Sequence, residues 1–416
     1  MSNVLFFTSD YPENSKGNLY VDLVREFVNQ GHRVFVVVPC ERKYGKETTI
    51  TETKNLTVIR AKSLNFRGNV SLIEKGIATL GFYYWYPYML NKYFKNVRLD
   101  LVICSTLPIT YAKVMRLLHH RDDACVYLLQ KDFFPQSAVD LGILKKGTLK
   151  YRLFRNLEKK MFSNADAIGV ISPKNVQYLL EHNAYLAKDK VEVCPNSIIP
   201  DTWEKILLKK SQRQVIREKY KIPLDKVVFI YGGNISRAQG IDFICDVARN
   251  AGQCENAYFL FVGNGNEYSR LADEIEKLQA NNVKILSYLP KEDYDDLLAA
   301  CDVGLVFLDP RFTIANIPSR TLSHMNMGQP ILAATDEYTD YKELLQNNNI
   351  GLWSASKDIG SFITNLRQMI ASEDMRRAMG ENARTYLEKE WNAKRTYEII
   401  IRHITQKKVS SASLKY

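Results

Sequence analysis

Residues 309–336 read DPRFTIANIPSRTLSHMNMGQPILAATD, which is a loop, a short predicted helix that begins at Pro318, and an apolar strand. Proline is favoured in the first turn of a helix because its missing N–H is not needed there. The backbone N–H groups that follow lie at the helix start and suit an anion. They belong to Ser319, Arg320 and Thr321. Gly328 then ends the helix, so this stretch predicts an anion-binding corner beside a buried strand.

Two glycine-bearing turns occur earlier in the same half of the chain. The predicted strand 227–231 leads into GGNISRAQG at residues 232–240, and the predicted strand 258–262 ends in Gly263-Asn264-Gly265. Parallel strands of an open α/β sheet end at one edge, and ligands bind at that edge. The two turns and the helix start at Pro318 therefore predict one phosphate-binding site.

Strand-like and helical stretches alternate along the whole chain, which is typical of parallel doubly wound sheets. Its 416 residues exceed one ordinary core, so we expect two domains. We predict an N-terminal Rossmann-like domain over residues 1–200, a Lys-rich junction over 201–225 and a second Rossmann-like domain over 226–385. A helix over 386–405 and a disordered tail over 406–416 complete the prediction.

The composition is that of a globular protein, with 46% hydrophobic and 25% charged residues. The seven cysteines are odd in number and form no CxxC pair, which favours reduced thiols over a disulfide framework or a zinc site. No basic and apolar leader precedes Asp10, so we expect no secretion signal. These features predict a cytoplasmic protein.

The net charge of +11 is unevenly distributed. Residues 1–200 contain 28 Lys and Arg against 18 Asp and Glu, whereas residues 201–416 contain 29 against 28. A basic N-terminal half suits the phosphates of lipids, of a pyrophosphate-linked acceptor or of nucleic acid, and charge alone does not choose among them. Because the chain has no recognisable nucleic-acid-binding motif, nucleic acid is the least favoured partner.

An uncharged aromatic segment lies in this basic half. Residues 76–91 read GIATLGFYYWYPYMLN, include Trp85 and are followed by Lys92, Lys95 and Arg98. The segment is shorter than the ~20 apolar residues that span a bilayer. Aromatic rings beside basic residues suit the lipid headgroup layer, so we predict a membrane-surface contact. The second basic block, residues 145–162, is predicted as a packed helix with a solvated charged face.

The order of these motifs resembles that of the family 4 glycosyltransferases with the GT-B fold. The opening strand, the GH-x-V strand, the Pro-Asn after the last N-domain strand and the C-terminal MGENAR are also in the family's order, at residues 4–8, 31–38, 195–196 and 379–384. The resemblance implies two doubly wound Rossmann-like α/β domains that face a cleft. It also implies a retaining, metal-independent hexosyl- or N-acetylhexosaminyl-transferase without a cofactor.

The resemblance implies the partners as well. The C-terminal domain would hold a UDP- or GDP-sugar, and the N-terminal domain would present a saccharide acceptor. A lipid-linked acceptor in surface polysaccharide biosynthesis would place the enzyme at the inner face of the cytoplasmic membrane. The alternative is a catalytically silent GT-B protein that binds a glycan or a partner in an assembly complex.

By the same resemblance, Arg237 and Arg320 stabilise the diphosphate that leaves the donor sugar. The other implied donor-binding residues are Gly233, Asn234, Gln239, Gly263, Gly265, Tyr288, Leu289, Ser319 and Ser323. The predicted acceptor or membrane side includes Gly17, Trp85, Lys92 and Lys95.

Several residues depart from the family pattern. Asn234 and Gln239 occupy the positions where most members carry Arg and Lys. Ala315 and Ser323 occupy the positions of the paired glutamates, the second of which holds the ribose in most members. A serine retains only a hydrogen bond to a ribose hydroxyl, so the donor sugar is left open.

Asp132 lies in KDFFPQS, residues 131–137, which resembles a D-x-W-P-x-S signature of one branch of the family. Its position after a predicted strand suits a general base for the acceptor hydroxyl. Capping of the next helix is an equally good interpretation. For a metal we find no site, because Asp293 and Asp295 begin an acidic helix and are expected to be solvated, and the six histidines have no metal-ligand spacing.

Overall fold

Two α/β sheets organise the chain in this computed structural model, which describes residues 1–12, 17–68, 70–106 and 108–413. The chain divides into a first unit, Met1–Ile199 with Ala393–Tyr416, and a second unit, Pro200–Asn392. Within the described residues, no helix combines the length and the apolar character that crossing a membrane requires.

The first unit contains an eight-stranded sheet in the order β3-β4-β2-β1-β5-β6-β7-β8. Only β3 pairs antiparallel to its neighbour. The strands are β1 Asn3–Phe7, β2 Arg33–Glu41, β3 Thr49–Glu52, β4 Leu56–Ser63, β5 Leu101–Ser105, β6 Cys125–Gln130, β7 Ala167–Val170 and β8 Val191–Val193. The helices are α1 Leu19–Asn29, α2 Leu72–Tyr93, α3 Ala112–Asp122, α4 Gln136–Asp140, α5 Leu149–Asn164, α6 Pro173–His182 and α16 Ala393–Ser413.

Both faces of this sheet are covered because its central strands are apolar on both sides. On one face, α1 and α16 pack together over the core that contains Phe27 and Ile400. On the other face, Tyr86 of α2 packs edge-on against Phe7 of β1, and α3 lies against both α2 and α5. Helices α2, α3 and α5 therefore form one layer.

The second unit has a fully parallel six-stranded sheet in the order β11-β10-β9-β12-β13-β14. The strands are β9 Val227–Asn234, β10 Ala257–Asn264, β11 Val283–Leu286, β12 Val303–Phe307, β13 Ile331–Thr335 and β14 Gly351–Ala355. The helices are α7 Trp203–Ser211, α8 Arg213–Lys219, α9 Ile241–Asn250, α10 Tyr268–Leu278, α11 Lys291–Ala299, α12 Arg320–Asn326, α13 Tyr341–Asn347, α14 Ile359–Ala371 and α15 Glu373–Glu390.

Two buried arginines bind this unit together. Arg217 of α8 is fully buried, donates to the carbonyls of Ala300 and Pro223, and pairs with Asp302 at 2.7 Å. Arg384 of α15 donates to the backbone and the side-chain oxygen of Asn326, both at 2.8 Å, at the end of α12. Arg384, which belongs to the MGENAR motif, thus fixes the helix that begins with Arg320.

The C-terminal elements differ from the predicted boundaries. The predicted junction 201–225 contains α7 and α8, and both belong to the second unit. The predicted helix 386–405 is interrupted at residues 391–392, between α15 and α16. Helix α16 packs on α1 and continues to Ser413, past the start of the predicted disordered tail. Lys407 explains the extension, because its Nζ donates to the Ala124 carbonyl at 2.8 Å. Residues 414–416 lie outside the described residues.

Candidate functional site

The glycine turns of the second unit lie at the carboxyl edge of its sheet, where β9 and β10 end side by side. A Cβ at Gly263 would lie 1.8 Å from the carbonyl oxygen of Gly233, and one at Gly265 would lie 2.1 Å from that of Ile235. Gly233, Gly263 and Gly265 also have positive φ angles. Side chains are therefore excluded at these positions, and the turns form a floor of backbone that is exposed at Gly233 and Gly265 and buried at Gly263.

Arg320 lies against this floor at the first residue of α12. Its guanidinium is 4.3 Å from the Tyr231 ring centroid, and its Nη2 donates to Oε1 of Gln239 at 2.7 Å. A Cβ on Gly233 would lie 3.6 Å from Nη2. The buried Nη1 has no hydrogen-bond partner among the described residues. An unpaired buried donor is costly, so this N–H is suited to receive an anion.

The backbone amides at this helix start differ from the prediction. The amide of Thr321 donates to the Pro318 carbonyl at 3.1 Å, and that of Leu322 donates to Ser319 at 3.1 Å. The predicted free amide of Thr321 is therefore wrong, because a tight turn at the start of α12 uses it. The buried guanidinium N–H of Arg320 is a side-chain donor that the corner offers, whereas the roles of the Ser319 and Arg320 amides stay predictions.

Arg237 has a different environment on the same turn. Its side chain is 66% exposed, and its Nε lies 3.0 Å from Oε1 of Glu267. Glu267 is buried, and its amide donates to the Ile235 carbonyl at 3.1 Å. The sequence did not single out Glu267, because its pairing joins residues from separate turns. An acidic residue just after the Gly263–Gly265 turn is the only sequence signal for it.

Tyr294 is a second residue that the sequence analysis missed. A Cβ on Gly232 would lie 1.9 Å from its hydroxyl oxygen, so the tyrosine fills the space that this glycine leaves open. Burial raises the pKa of the Tyr294 phenol, and the positive charge of Arg320 opposes the rise. The adjacent acidic residues are paired with lysines: Asp293 lies 3.0 Å from Lys219, and Asp295 lies 2.8 Å from Lys291.

The other predicted donor residues surround this site at varying distances. Ser323 is partly buried on α12, three residues after Arg320 and hence on the same helix face, whereas Ala315 is buried. Ser319 is exposed at the start of α12, and Asn234 is exposed at the end of β9. Beyond β11, Tyr288 is exposed and Leu289 packs against the core; neither has a hydrogen bond or ion pair to Arg320 among the described residues.

On the first unit, Asp132 follows β6 at the carboxyl edge of the sheet. Neighbouring bonds hold its loop: Gln130 donates to the Asp132 carbonyl at 2.8 Å, and half-buried Lys131 donates to the Cys194 carbonyl at 2.6 Å. The Asp132 side chain reaches solvent, while the surrounding protein raises the pKa of its carboxyl group by removing part of its hydration. Helix α4 begins after Pro135 without a side-chain cap, so Asp132 does not cap it.

Tyr20, which was not predicted as a site residue, interacts electrostatically with Asp132. Burial, together with the negative charge of Asp132, raises the pKa of the Tyr20 phenol, and the Ser105 side chain opposes the rise. Gly17, predicted on the acceptor side, donates its amide to Oδ2 of Asp22 at 3.1 Å. The same oxygen accepts the amide of Ile199 at 3.0 Å, so one buried carboxylate fixes the turn that precedes α1.

The predicted aromatic segment belongs to α2, which continues through Pro87. Trp85 is held by a bond from its Nε1 to the Lys62 carbonyl at 3.1 Å. The Lys92 ammonium lies 5.6 Å from the Tyr88 ring centroid, and Lys95 is exposed. Helical spacing brings a row of exposed apolar and aromatic side chains onto one side of α2. They are Ile73, Ile77, Leu80, Tyr84 and Tyr88.

Profiles of known protein families match both units. The profile described as "Glycosyltransferase Family 4" matches residues 17–202, and the profile described as "Glycosyl transferases group 1" matches residues 212–386. The chain belongs to the family 4 glycosyltransferases. The prediction made from the order of the motifs is therefore confirmed.

Two relatives carry glycosyltransferase names. The chain is 30% identical over 261 residues to "Probable glycosyltransferase WbjE" of Pseudomonas aeruginosa, and the alignment spans 61% of either protein. It is 23% identical over 318 residues to "Putative colanic acid biosynthesis glycosyl transferase WcaI" of Escherichia coli K12, over 74% of either protein.

Solved structures show the fold. Sucrose-phosphate synthase from Thermosynechococcus elongatus superposes with a TM-score of 0.75 at 15% identity, covering 99% of this chain and 100% of that one. Alr3699/HepE of Anabaena, solved in complex with UDP, gives 0.68 at 14% identity, covering 98% and 100%. The predicted GT-B fold, with two doubly wound Rossmann-like units, is confirmed.

The structure gives a physical account of one departure from the family 4 pattern. Gln239, at the position where most members carry lysine, accepts from Arg320 and orients it toward Gly233. The turn thereby loses one charge but gains a fixed position for another.

Proposed function

We propose that this family 4 protein is a retaining, metal-independent glycosyltransferase. It transfers a sugar from a UDP or GDP donor to a saccharide acceptor, lipid-linked, in the biosynthesis of a surface polysaccharide such as capsule, O-antigen or exopolysaccharide. The protein works in the cytoplasm, peripherally at the inner face of the membrane. The observation that carries the proposal is the guanidinium of Arg320, held against Gly233 with its buried Nη1 unpartnered among the described residues.

The chemistry needs positive charge where the donor breaks. As the bond between the anomeric carbon and the phosphate oxygen breaks, negative charge grows on the diphosphate, and a preorganised donor stabilises it without reorganisation. Arg320 is preorganised by Tyr231 and Gln239. The acceptor oxygen then bonds to the anomeric carbon on the same face, and its proton passes to the departing phosphate oxygen or to Asp132.

The acceptor and the location rest on separate support. The name of WcaI refers to colanic acid, a polysaccharide, and HepE binds UDP in its solved complex. The exposed apolar row of α2, together with Lys92 and Lys95, has the amphipathic character of a helix that lies on a lipid surface. A lipid-linked saccharide is reached only at such a surface.

A catalytically silent GT-B protein is the second candidate. The observation that favours it is the replacement of both paired glutamates, by buried Ala315 and by Ser323. Such a protein would retain the fold and the glycine turns while binding a glycan or a partner without transfer.

Nucleotide protection and donor hydrolysis test the proposal. UDP or GDP at a hundred times its dissociation constant should stabilise the folded protein by about 2.7 kcal/mol, seen as a higher melting temperature. A panel of UDP- and GDP-sugars should include one that the protein hydrolyses slowly to free nucleotide, at the same rate with EDTA. Protection without hydrolysis or transfer of any donor would favour the silent protein, and a strict metal requirement would contradict the proposed mechanism.

A further inference from the structure

A second apolar surface lies where α5 begins, in a region that the sequence predicted to be a solvated charged face. Ile143 is 72% exposed, Leu149 is 83% exposed and Leu153 is 46% exposed. Three aliphatic side chains within eleven residues are thus directed into solvent. We call residues 143–153 the docking segment.

The backbone of the docking segment is held in place by its own hydrogen bonds. The amide of Ile143 donates to the Ala138 carbonyl at 2.8 Å. Thr148 caps α5: its Oγ1 accepts the Tyr151 amide at 3.3 Å and donates to the Lys145 carbonyl at 2.8 Å. The exposed aliphatic side chains therefore stand on a fixed backbone, and binding would not have to order the segment.

Basic residues surround these aliphatic side chains. Residues 141–157 contain no Asp or Glu. The basic residues exposed within the segment are Lys145, Lys146, Lys150 and Arg152. In the described part of the chain, none of the four makes an ion pair, whereas Arg155, just beyond, pairs with Glu158. The segment therefore exposes both aliphatic side chains and four cations for which the described residues supply no anionic partner.

Helix α7 of the second unit also exposes leucines, but without an excess of positive charge around them. Leu207 and Leu208 are 60% and 66% exposed. Of the three lysines of α7, Lys205 pairs with Asp201 and Lys209 pairs with Asp296, and Glu204 on the same helix offsets the charge of Lys210. Similar aliphatic exposure thus occurs without an excess of positive charge, which makes α7 a matched control.

The docking segment is also connected to Asp132. Helices that follow parallel strands begin at the carboxyl edge of the sheet, so the start of α5 lies at the edge where β6 ends and Asp132 follows. Phe134, two residues after Asp132, packs edge-on against Phe154 with ring centroids 4.9 Å apart. Phe154 in turn follows Leu153 on α5. A surface bound at Leu153 would therefore lie close to the loop of Asp132.

We infer that the docking segment binds an anionic lipid bilayer, with Ile143, Leu149 and Leu153 in the headgroup–acyl boundary and the four cations on lipid phosphates. This places the lipid-linked acceptor beside Asp132, and to that extent the inference rests on the proposed function. The lipid surface is favoured over a protein partner because the positive charge is unbalanced and spread around the aliphatic side chains. Helix α2, in the same helix layer, adds its exposed apolar row to the bilayer contact.

Sedimentation with vesicles tests the inference. The full chain should bind phosphatidylcholine–phosphatidylglycerol vesicles and bind phosphatidylcholine vesicles much more weakly. Replacing Ile143, Leu149 and Leu153 together by Ser should weaken binding at least ~tenfold, because their apolar surface is no longer buried. Replacing the four cations by Gln should weaken it roughly fivefold for each charge removed, and replacing Lys92, Lys95 and Arg98 by Glu tests α2 in the same way. The control L207S/L208S should bind as the parent does.

Insertion depth gives an independent readout. Trp fluorescence of Leu149→Trp, relative to the parent, should be quenched by vesicles with brominated acyl chains, and that of Leu207→Trp should not. Melting temperature and UDP or GDP binding in vesicle-free solution should match the parent for every variant, because the exposed side chains leave the core and the donor site unchanged. If the parent binds neither UDP nor GDP, the proposed function is contradicted, but membrane binding by the docking segment is not.

Three results would overturn the docking segment. The first is that the parent does not bind anionic vesicles. The second is that the variant with Ser at positions 143, 149 and 153 binds them as tightly as the parent. The third is a triple variant that changes the oligomeric state while its vesicle binding stays unchanged, which would assign this surface to an interface between copies of the chain.

Discussion

Arg320 and Arg237 lie at the same glycine-lined edge of the sheet, yet their guanidinium groups have opposite environments. The Arg320 guanidinium is stacked on Tyr231, fixed by Gln239, and has a buried N–H with no partner in the described part of the chain. Arg237 is mostly exposed and already paired with Glu267. The sequence suggested two equivalent phosphate ligands, but the structure distinguishes a preorganised cation from a solvated and neutralised one.

The difference teaches where transition-state stabilisation should be concentrated. A partly buried, oriented guanidinium is less screened by water than an exposed one and needs no reorganisation when the diphosphate gains charge. An exposed arginine must first leave its carboxylate partner, and solvent screens what it then contributes. We therefore expect Arg320 to matter much more for turnover than Arg237.

The largest effect should come from Arg320→Ala. Turnover, measured as nucleotide release from the donor sugar, should fall ~10²–10³-fold, which is the usual loss for one preorganised donor in an active site. Arg320→Lys should lie between the parent and the alanine variant, because lysine keeps the charge but loses the planar fork. If Arg320→Ala turns over as fast as the parent, Arg320 does not stabilise the leaving diphosphate and the proposed donor site is wrong.

The helix that carries Arg320 should weaken in acid through His324. Burial lowers the pKa of His324 to about 4; the hydrogen bond with Gln329 opposes this shift, and the charge of Arg320 adds to it. The folded imidazole stays neutral while the unfolded one takes a proton below its ordinary pKa. This contribution to stability is therefore complete above about pH 6.5 and is lost, up to ~3 kcal/mol, as the pH falls to about 4.

Urea unfolding across this pH range, with His324→Gln as the matched variant, isolates the contribution. The variant should show a shallower fall in the free energy of unfolding than the parent, because carboxylates that titrate in the same range are common to both proteins. Parallel curves for the two proteins would mean that His324 is protonated alike in the folded and unfolded states.

Arg237→Ala should cost roughly tenfold in turnover, about 1.4 kcal/mol. Glu267→Gln is the informative partner variant, since it frees the guanidinium without removing it and should leave turnover equal to or above that of the parent. If Arg237→Ala is as damaging as Arg320→Ala, the two arginines are equivalent and the contrast drawn from their environments fails.

The smallest expected effect concerns Ser323, which shares the helix face of Arg320. Ser323→Glu should preserve or improve the affinity for UDP or GDP, whereas Ser323→Leu should weaken it severalfold by filling the ribose site, at a cost on the order of 1 kcal/mol. Calorimetry with both nucleotides measures this. Three identical affinities would place Ser323 away from the ribose.

Local features of this site were predictable from the sequence. The turns at Gly233, Gly263 and Gly265 follow strands in the sequence and need positive φ angles that glycine adopts readily. The place of Arg320 at a helix start likewise follows from the preference for proline in a first turn, although α12 begins at Arg320 and not at the predicted Pro318. The alternation of strands and helices was sufficient for the two sheets, because burial on both faces gives parallel strands an apolar sequence.

Contacts between distant residues were not predictable. Glu267 pairs with Arg237 across thirty positions, and Tyr294 fills the space above Gly232 because a helix from another part of the fold passes there. The Thr321 amide bonds to the Pro318 carbonyl in a tight turn, which sequence preferences do not distinguish from an α-helical start. Likewise, α16 extends through Lys407 because it docks on Ala124, although its composition resembles that of a disordered tail.

The neutral Gln239 has a consequence for ionic strength. A site that gathers several exposed lysines and arginines loses affinity steeply as salt is added, since mobile ions screen charges that lie farther apart than a Debye length. Here a neutral amide holds one partly buried guanidinium at 2.7 Å, and the other arginine is already compensated. Nucleotide affinity should therefore vary little with salt, and the binding site would tolerate large changes in the ionic composition of its surroundings.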